Sequence, residues 1–381
     1  MAEVKIKINK KKTDYSDKIS NVINAKIGKI VSEGNEVLDQ LQDLKVIPLS
    51  PALDDQLGGG IREGTVCIIS GPAKTGKSVT ALSFAATCQH YYGKNIYYFD
   101  TEGRLSKQHL LEIKNLDIEN NFKVIGPTPE QPMISAEMYL NAAEALVKNV
   151  PNLVLIIDST SNMLPAEELG GEIRGGIRAG LPKMLGQFLK RTSGDVPRNG
   201  AILIFITHKI ANTGARGPMA PKTVSDGGNQ LQYQASTILD IGGKSYWEQG
   251  GEEVGQQVYW KIKTASAGGK PGGSAEGWLR WGVGVDFNKE IVHLASELGM
   301  VSTAGAWYTI THVIENAGDD RLKEVFKRND VDPTDEDAVK KMVKFQGILN
   351  LVRWMDDNPE IGKFLQEEVR SIDLIEHEID V

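Results

Sequence analysis

The chain has 381 residues, of which 40% are hydrophobic and 24% charged, with 40 glycines and a net charge of −7, enough for one large core with small accessory units. No apolar stretch approaches the ~20 residues of a membrane helix, and the acidic balance, with a pI of 5.6, excludes binding nucleic acid through overall charge. Two cysteines, Cys67 and Cys88, both in apolar runs, predict no disulfide, no cysteine metal site and a reducing cytoplasm.

Residues 1–30 carry eight lysines against three acids, without the apolar segment of a secretory signal. After the alternating Val4–Ile8, periodicity predicts a helix over Ser16–Ser32 and a second over Glu36–Leu44, before Pro48. Too few apolar residues are present for a separate core, so residues 1–45 read as an arm that packs on another surface, in cis or on a neighbouring subunit.

From Leu49 to Phe287 strands and helices alternate, as in a mostly parallel α/β sheet with right-handed crossovers. Thr65–Ser70 is a short apolar strand, and Val79–Gln89 places Leu82, Phe84, Ala85 and Cys88 at helical spacing. Between them, Gly71-Pro72-Ala73-Lys74-Thr75-Gly76-Lys77-Ser78 satisfies GxxxxGK[ST]. In that setting the loop turns backbone N–H groups toward an anion, Lys77 reaches the β and γ phosphates, and the Ser78 hydroxyl ligates Mg²⁺. A glycine-rich turn that binds nothing is the bland alternative.

Next, Asn95–Asp100 forms a strand delivering Asp100, Thr101 and Glu102 at its end, with Tyr97 and Tyr98 read as sheet packing. Helices are expected over Ser106–Lys114 and Ser135–Lys148. Leu153–Ser159 is a buried strand of the Walker B kind, holding Asp158 beside the phosphate loop for Mg²⁺; a capping aspartate is its bland reading. A loop over 163–176, with Pro165 and four glycines, precedes a helix over Ile177–Thr192.

The strand Ala201–Thr207 ends at His208, and residues 209–228 lack periodicity. Strands resume at Thr237–Ile241 and Gln257–Lys263, the latter with Lys261 and Lys263 on one face; a glycine-rich loop, 265–274, leads to Trp278–Trp281. Beyond Asn288, helical patterns at Glu290–Leu298 and Glu336–Met355 flank a short strand at Gly305–Ile310. They define a small α+β domain over 288–381, after a core over 46–287. Residues 356–381, nine acids against Lys363 and Arg370, read as a solvated tail competing with DNA for basic surface.

Glu102 stands where a carboxylate orients water toward a γ-phosphate, and His208 where a side chain senses that phosphate and reports to the following loop. As bland readings, Glu102 is a surface acid, His208 a strand-end hydrogen-bonder, and Lys261 and Lys263 the solvated side of an edge strand.

This set resembles the RecA family of homologous-recombination ATPases over residues 49–312. The segments that carry the likeness are GPAKTGKS, YYFDTEG, LIIDSTSNMLP, GGEI at 170–173, LIFITHKI, SDGGNQLQYQASTILDI at 225–241, WKIKT at 260–264 and AGAWY at 304–308. The resemblance implies ATP and Mg²⁺ as cofactors, nucleotide contacts from 71–78 and Val79, and Glu102 as the catalytic glutamate with Lys77. Lys261 and Lys263 would act in trans across a helical filament interface.

By the same likeness the loops around Gly171–Ile173 and Lys209–Gly228 would line a DNA channel. Arg174, Lys209, Arg216 and Lys222 would meet phosphates, with Gly171, Ile173, Gly227, Gly228 and Asn229 beside them. Single- and double-stranded DNA, further copies of the chain, and mediator and single-strand-binding proteins are the implied partners, with no membrane. Strand pairing and exchange, stimulated by single-stranded DNA, is the implied activity.

Histidine stands at 208 where the family has glutamine, and His109 falls near the adenine-stacking tyrosine position. Such departures look like phage-encoded recombinases of the UvsX type, acting in a host cytoplasm. A hexameric helicase on the same core, a small-molecule phosphotransferase and a non-hydrolysing DNA-coating protein are the rival readings.

Overall fold

The computed structural model describes residues 10–32, 44–169, 180–211, 223–225, 228–265 and 268–379. The chain divides into two units, Met1–Leu44 and Lys45–Val381. In the first, α1 (Lys10–Ile27) begins earlier than the periodicity suggests and stops before Gly28, whose φ is +103°. Asn24 closes the end, its Oδ1 accepting from the backbone N–H of Ile30 and Val31, both at 2.8 Å. Tyr15, Ile19 and Val22 recur at i, i+4 and i+7 and are exposed. Nearly all of the second expected arm helix lies outside the described residues.

The larger unit opens with β1 (Val46–Ile47), α2 (Pro51–Leu57) and β2 (Ile61–Arg62), β1 and β2 pairing as a small antiparallel ladder. There follow β3 (Thr65–Gly71), α3 (Lys77–Tyr92), β4 (Asn95–Asp100), α4 (Lys107–Leu111), β5 (Phe122–Ile125), α5 (Ala136–Asn149), β6 (Leu153–Asp158) and α6 (Gly180–Thr192). Then come β7 (Ile202–Ala211), β8 (Thr223–Ser225), α7 (Gly228–Gln234), β9 (Thr237–Gln249), β10 (Glu252–Thr264), β11 (Ser274–Arg280) and β12 (Gly284–Val285). Among the described residues these strands form a ten-stranded sheet in the order β12-β11-β10-β9-β3-β7-β6-β4-β5, with β8 on β7. From β9 to β5 all pairs are parallel; β10 to β12 add an antiparallel flank.

Alternation along the strands makes two apolar layers. Cys67 and Ile69 of β3 pack with Ala81, Leu82, Phe84 and Ala85 of α3, whereas Val66 and Ile68 join the residues of α5 and α6. Because both faces are covered, β6 is buried from Leu153 to Asp158 and reads as a continuous apolar run. The register aligns the strand ends: Gly71 faces His208, Ser70 faces Asp240, and Asp100 faces Asp158. The expected α/β fold is therefore the observed one.

Several details differ from the sequence reading. His208 is not at a strand tip: β7 runs on to Ala211 and pairs with β8, Lys209 opposite Ser225, so the stretch after His208 starts as a ribbon. The ladder's backbone pairing needs no apolar alternation, which hid it. β9 and β10 are much longer than expected and turn at Gly250 and Gly251, φ +65° and +85°.

The C-terminal residues contain α8 (Phe287–Glu297), β13 (Ser302–Ala304), β14 (Trp307–Thr309), α9 (Glu336–Met342), β15 (Lys344–Gln346), α10 (Ile348–Asp357) and α11 (Pro359–Ile379). The single helix expected over 336–355 is broken, because Lys344–Gln346 pairs with β14 and Gly347 turns the chain at φ +80°. The acidic end is not a solvated tail up to Val369. Ile361, Phe364, Leu365 and Val369 are buried with Ile291, Val292 and Leu351, a helical spacing that the charge count masked.

Candidate nucleotide site

The loop from β3 to α3 is shaped by glycines for two different reasons. At Gly71 a Cβ would lie 2.3 Å from the Ile241 carbonyl oxygen, so the backbone of β9, not a ligand, demands glycine there. Gly76 has φ +91°, and its Cβ would collide with Leu279 Cδ1 at 2.2 Å. Lys74 also takes the left-handed region, φ +59°. Within the loop, Thr75 Oγ1 donates to the Pro72 carbonyl at 2.9 Å and Lys77 Nζ to the same oxygen at 2.6 Å. Gly76 caps α3 without a side-chain acceptor, so the first-turn N–H groups and the helix dipole face the loop.

Ser78 Oγ donates to Asp158 Oδ2 at 2.5 Å, and the Tyr98 hydroxyl donates to the same oxygen at 2.5 Å. Burial raises the Asp158 carboxyl above the usual carboxylate range, against the pull of those two hydrogen bonds. A hydroxyl and a carboxylate converging beside an uncapped helix start are hard oxygen donors and fit Mg²⁺ with a phosphate. Tyr98, read from sequence as packing, thus orients the acid.

Glu102 is held from three sides. Its Oε1 accepts from Ser159 Oγ at 2.8 Å and lies 2.9 Å from His208 Nε2, while Arg104 reaches Oε2 at 3.1 Å. Burial opposes the charge on Glu102, but His208, Ser159 and Arg104 outweigh it and hold the carboxyl below its ordinary value. An ionised carboxylate only accepts, which puts a ring proton on Nε2 of His208. The pairing of β4 with β6 makes this possible: Thr101 N donates to the Asp158 carbonyl at 3.0 Å and Thr101 Oγ1 to the Ser159 carbonyl at 2.6 Å. The Asp158–Ser159 peptide is cis.

Ser78, Asp158, Glu102 and His208 line one cleft of about 550 Å³. His109 and Ile113 stand on one wall; Leu279, Trp281 and Gly282 form another. Trp281, 47% exposed, was missed by the sequence reading, although an aromatic beside Gly282 and Gly284 was a signal.

Asp240 was missed too. It lies in the apolar run of β9, accepts from Ser70 Oγ, and meets Lys209 and Lys263, each at 2.8 Å from Oδ2. Burial would raise its carboxyl, but the two lysines and Ser70 hold it below the ordinary range. Lys209, expected to meet DNA, and Lys263, expected at a neighbour's phosphates, are therefore tied to an acid of their own chain. Lys261 and Lys263 are both exposed, on the face of β10 opposite buried Trp260 and Ile262. Gly228 has φ +75°, and a Cβ would approach Pro182 to 2.8 Å, a packing reason for glycine; Asn229 lies in α7. Gly171, Ile173, Arg174, Arg216, Lys222 and Gly227 lie outside the described residues.

A strand–loop–helix turn with an uncapped helix start, at the C-terminal edge of a mostly parallel sheet, is the arrangement in which phosphate-loop folds hold a nucleotide. Residues 17–276 match the RecA N-terminal domain family, and the chain belongs to the RecA family. Proteins of this family are DNA-dependent ATPases of recombination and repair that use ATP and Mg²⁺ and self-assemble.

Proposed function

We propose that this chain hydrolyses ATP in the cleft between the phosphate loop and the β11–β12 turn, and couples hydrolysis to assembly on single-stranded DNA and strand exchange. The observation that carries the reading is the convergence of Ser78, Asp158, Glu102 and His208 on one cleft, with His208 on the strand that leads into residues 212–222. The backbone N–H groups of 73–78 and Lys77 hold the phosphates, and the base lies between the His109 and Trp281 walls. Ser78 and Asp158 would hold Mg²⁺, which supplies charge neutralisation at the β and γ phosphate oxygens. Glu102 takes a proton from water as the water oxygen bonds to the γ-phosphorus and the bond from that phosphorus to the β–γ bridging oxygen, which leaves with ADP, breaks. His208 is the sensor of that phosphate.

Copies of the chain stack head to tail, Lys261 and Lys263 of one meeting the nucleotide of the next, and the Tyr15, Ile19 and Val22 face of α1 packs on a neighbour. Lys263 must leave Asp240 to do so. Backbone amides and the basic residues of 171–174 and 209–222 hold DNA phosphates, so binding is sequence-tolerant and salt-sensitive. Histidine at 208 supports a phage-encoded UvsX-type protein working with mediator and single-strand-binding partners in a host cytoplasm.

ATP turnover measured with and without single-stranded DNA tests this. We expect stimulation by DNA, loss of turnover in Lys77→Ala, and a drop of roughly 10²- to 10⁴-fold in Glu102→Gln, the range for removing a general base. Turnover indifferent to DNA would favour a phosphotransferase, and closed six-membered rings in electron micrographs a helicase.

A further inference from the structure

Glu102 is clamped by donors of unequal permanence. Ser159 is fully buried and His208 half-buried on the sheet, but the Arg104 side chain is 80% exposed and stands at the mouth of the cleft that Lys77 and Ser78 line. The turn beneath it is fixed: Asp100 Oδ1 accepts from Arg104 N at 3.2 Å, Asp100 Oδ2 from Leu105 N at 3.1 Å, and Gly103 takes φ +63°. A fixed backbone with a solvated guanidinium leaves the side chain free to exchange partners. An exposed ion pair is weak, and a planar guanidinium fork suits phosphate oxygens as well as a carboxylate. While the pair stands, its positive charge lowers the basicity of Glu102.

We propose that Arg104 is a gate on Glu102: paired with the carboxylate before nucleotide enters, it exchanges to the phosphates of a nucleoside triphosphate and so frees Glu102 to act on water. The proposal rests on the ATPase reading above and makes Arg104 a positioning residue for Glu102. Without the gate, a fraction of nucleotide-bound molecules no longer waits in the clamped state. Without the guanidinium, the triphosphate also loses one cation.

The test is steady-state ATP turnover without DNA on the full chain, comparing wild type, Arg104→Ala and Arg104→Lys, with Lys77→Ala as control. In Arg104→Ala we expect kcat to rise roughly two- to fivefold, the weight of an exposed ion pair, and KM for ATP to rise with it. Arg104→Lys, which keeps the charge without the fork, should restore most of the KM. A rise in both constants with that rescue supports the gate; any other pairing of kcat and KM overturns it. Wild-type turnover abolished by Lys77→Ala keeps the ATPase reading whatever Arg104 does, and a wild type without turnover either alone or with single-stranded DNA overturns both.

Discussion

Lys94 follows a glycine at a helix–strand junction, a place where a lysine is expected in water, yet it is 1% exposed. Its Nζ lies 2.7 Å from Glu63 Oε1 and donates to the Gly200 carbonyl at 3.1 Å, joining the lead-in to β3, the start of β4 and the lead-in to β7. Replacing it by methionine keeps the length and removes the charge. Glu63 then keeps the Lys45 N–H at 2.9 Å on Oε2 but has no cation. Removing one partner of a buried pair costs about 3–5 kcal/mol. The Glu63 side chain retains 11% exposure, so some hydration survives and the loss should fall near the lower end, about 3 kcal/mol. Urea unfolding followed by tryptophan fluorescence measures it. Adding Glu63→Gln to Lys94→Met should restore more than about 1 kcal/mol, because the stranded charge is gone. A single-variant loss below about 1 kcal/mol, or strict additivity in the double variant, would refute the reasoning.

Gly277→Ala should destabilise by about 1–3 kcal/mol in the same assay, because the new Cβ would sit 1.9 Å from Cζ3 of Trp260, which is fully buried and cannot move aside. Burial pushes the Glu290 carboxyl up to about 8 from an ordinary 4.5, despite hydrogen bonds from Ser50, Ala52 and Trp278. Asp54, held by the N–H groups of Leu49 and Ser50, is pushed up to about 7 in the same way. The folded chain keeps protons there that the unfolded chain releases, so stability should fall as pH rises from 4.5 to 8. Glu290→Gln, neutral throughout, should flatten that decline when urea midpoints are measured across the window; an unchanged slope would assign it elsewhere.

Much of the site was legible because it depends on short-range pattern. The phosphate loop needs only its glycines, Lys77 and Ser78 between a buried strand and a helix. Asp100, Asp158 and His208 stand out because apolar runs end or turn polar at them. Parallel strands buried on both faces announce themselves as continuous aliphatic segments, and the alternation of strand and helix then defines the sheet. The C-terminal helix α11 was misread for the opposite reason: the nine acids among residues 356–381 dominate the composition and hide four apolar residues at helical spacing.

What the residues alone determined is the class of fold and the strand–loop–helix segment proposed to hold a nucleotide's phosphates, since both follow from spacing along the chain. Only the tertiary structure decided which groups act on one another. Tyr98 reaches Asp158 across 60 positions and His208 reaches Glu102 across 106. Arg104 turns back onto Glu102, and Asp240 binds Lys209 and Lys263. The physical reason is that strand register, set by burial of apolar faces far from the site, brings the polar ends of separate strands within hydrogen-bonding distance, and no local pattern encodes which ends will meet.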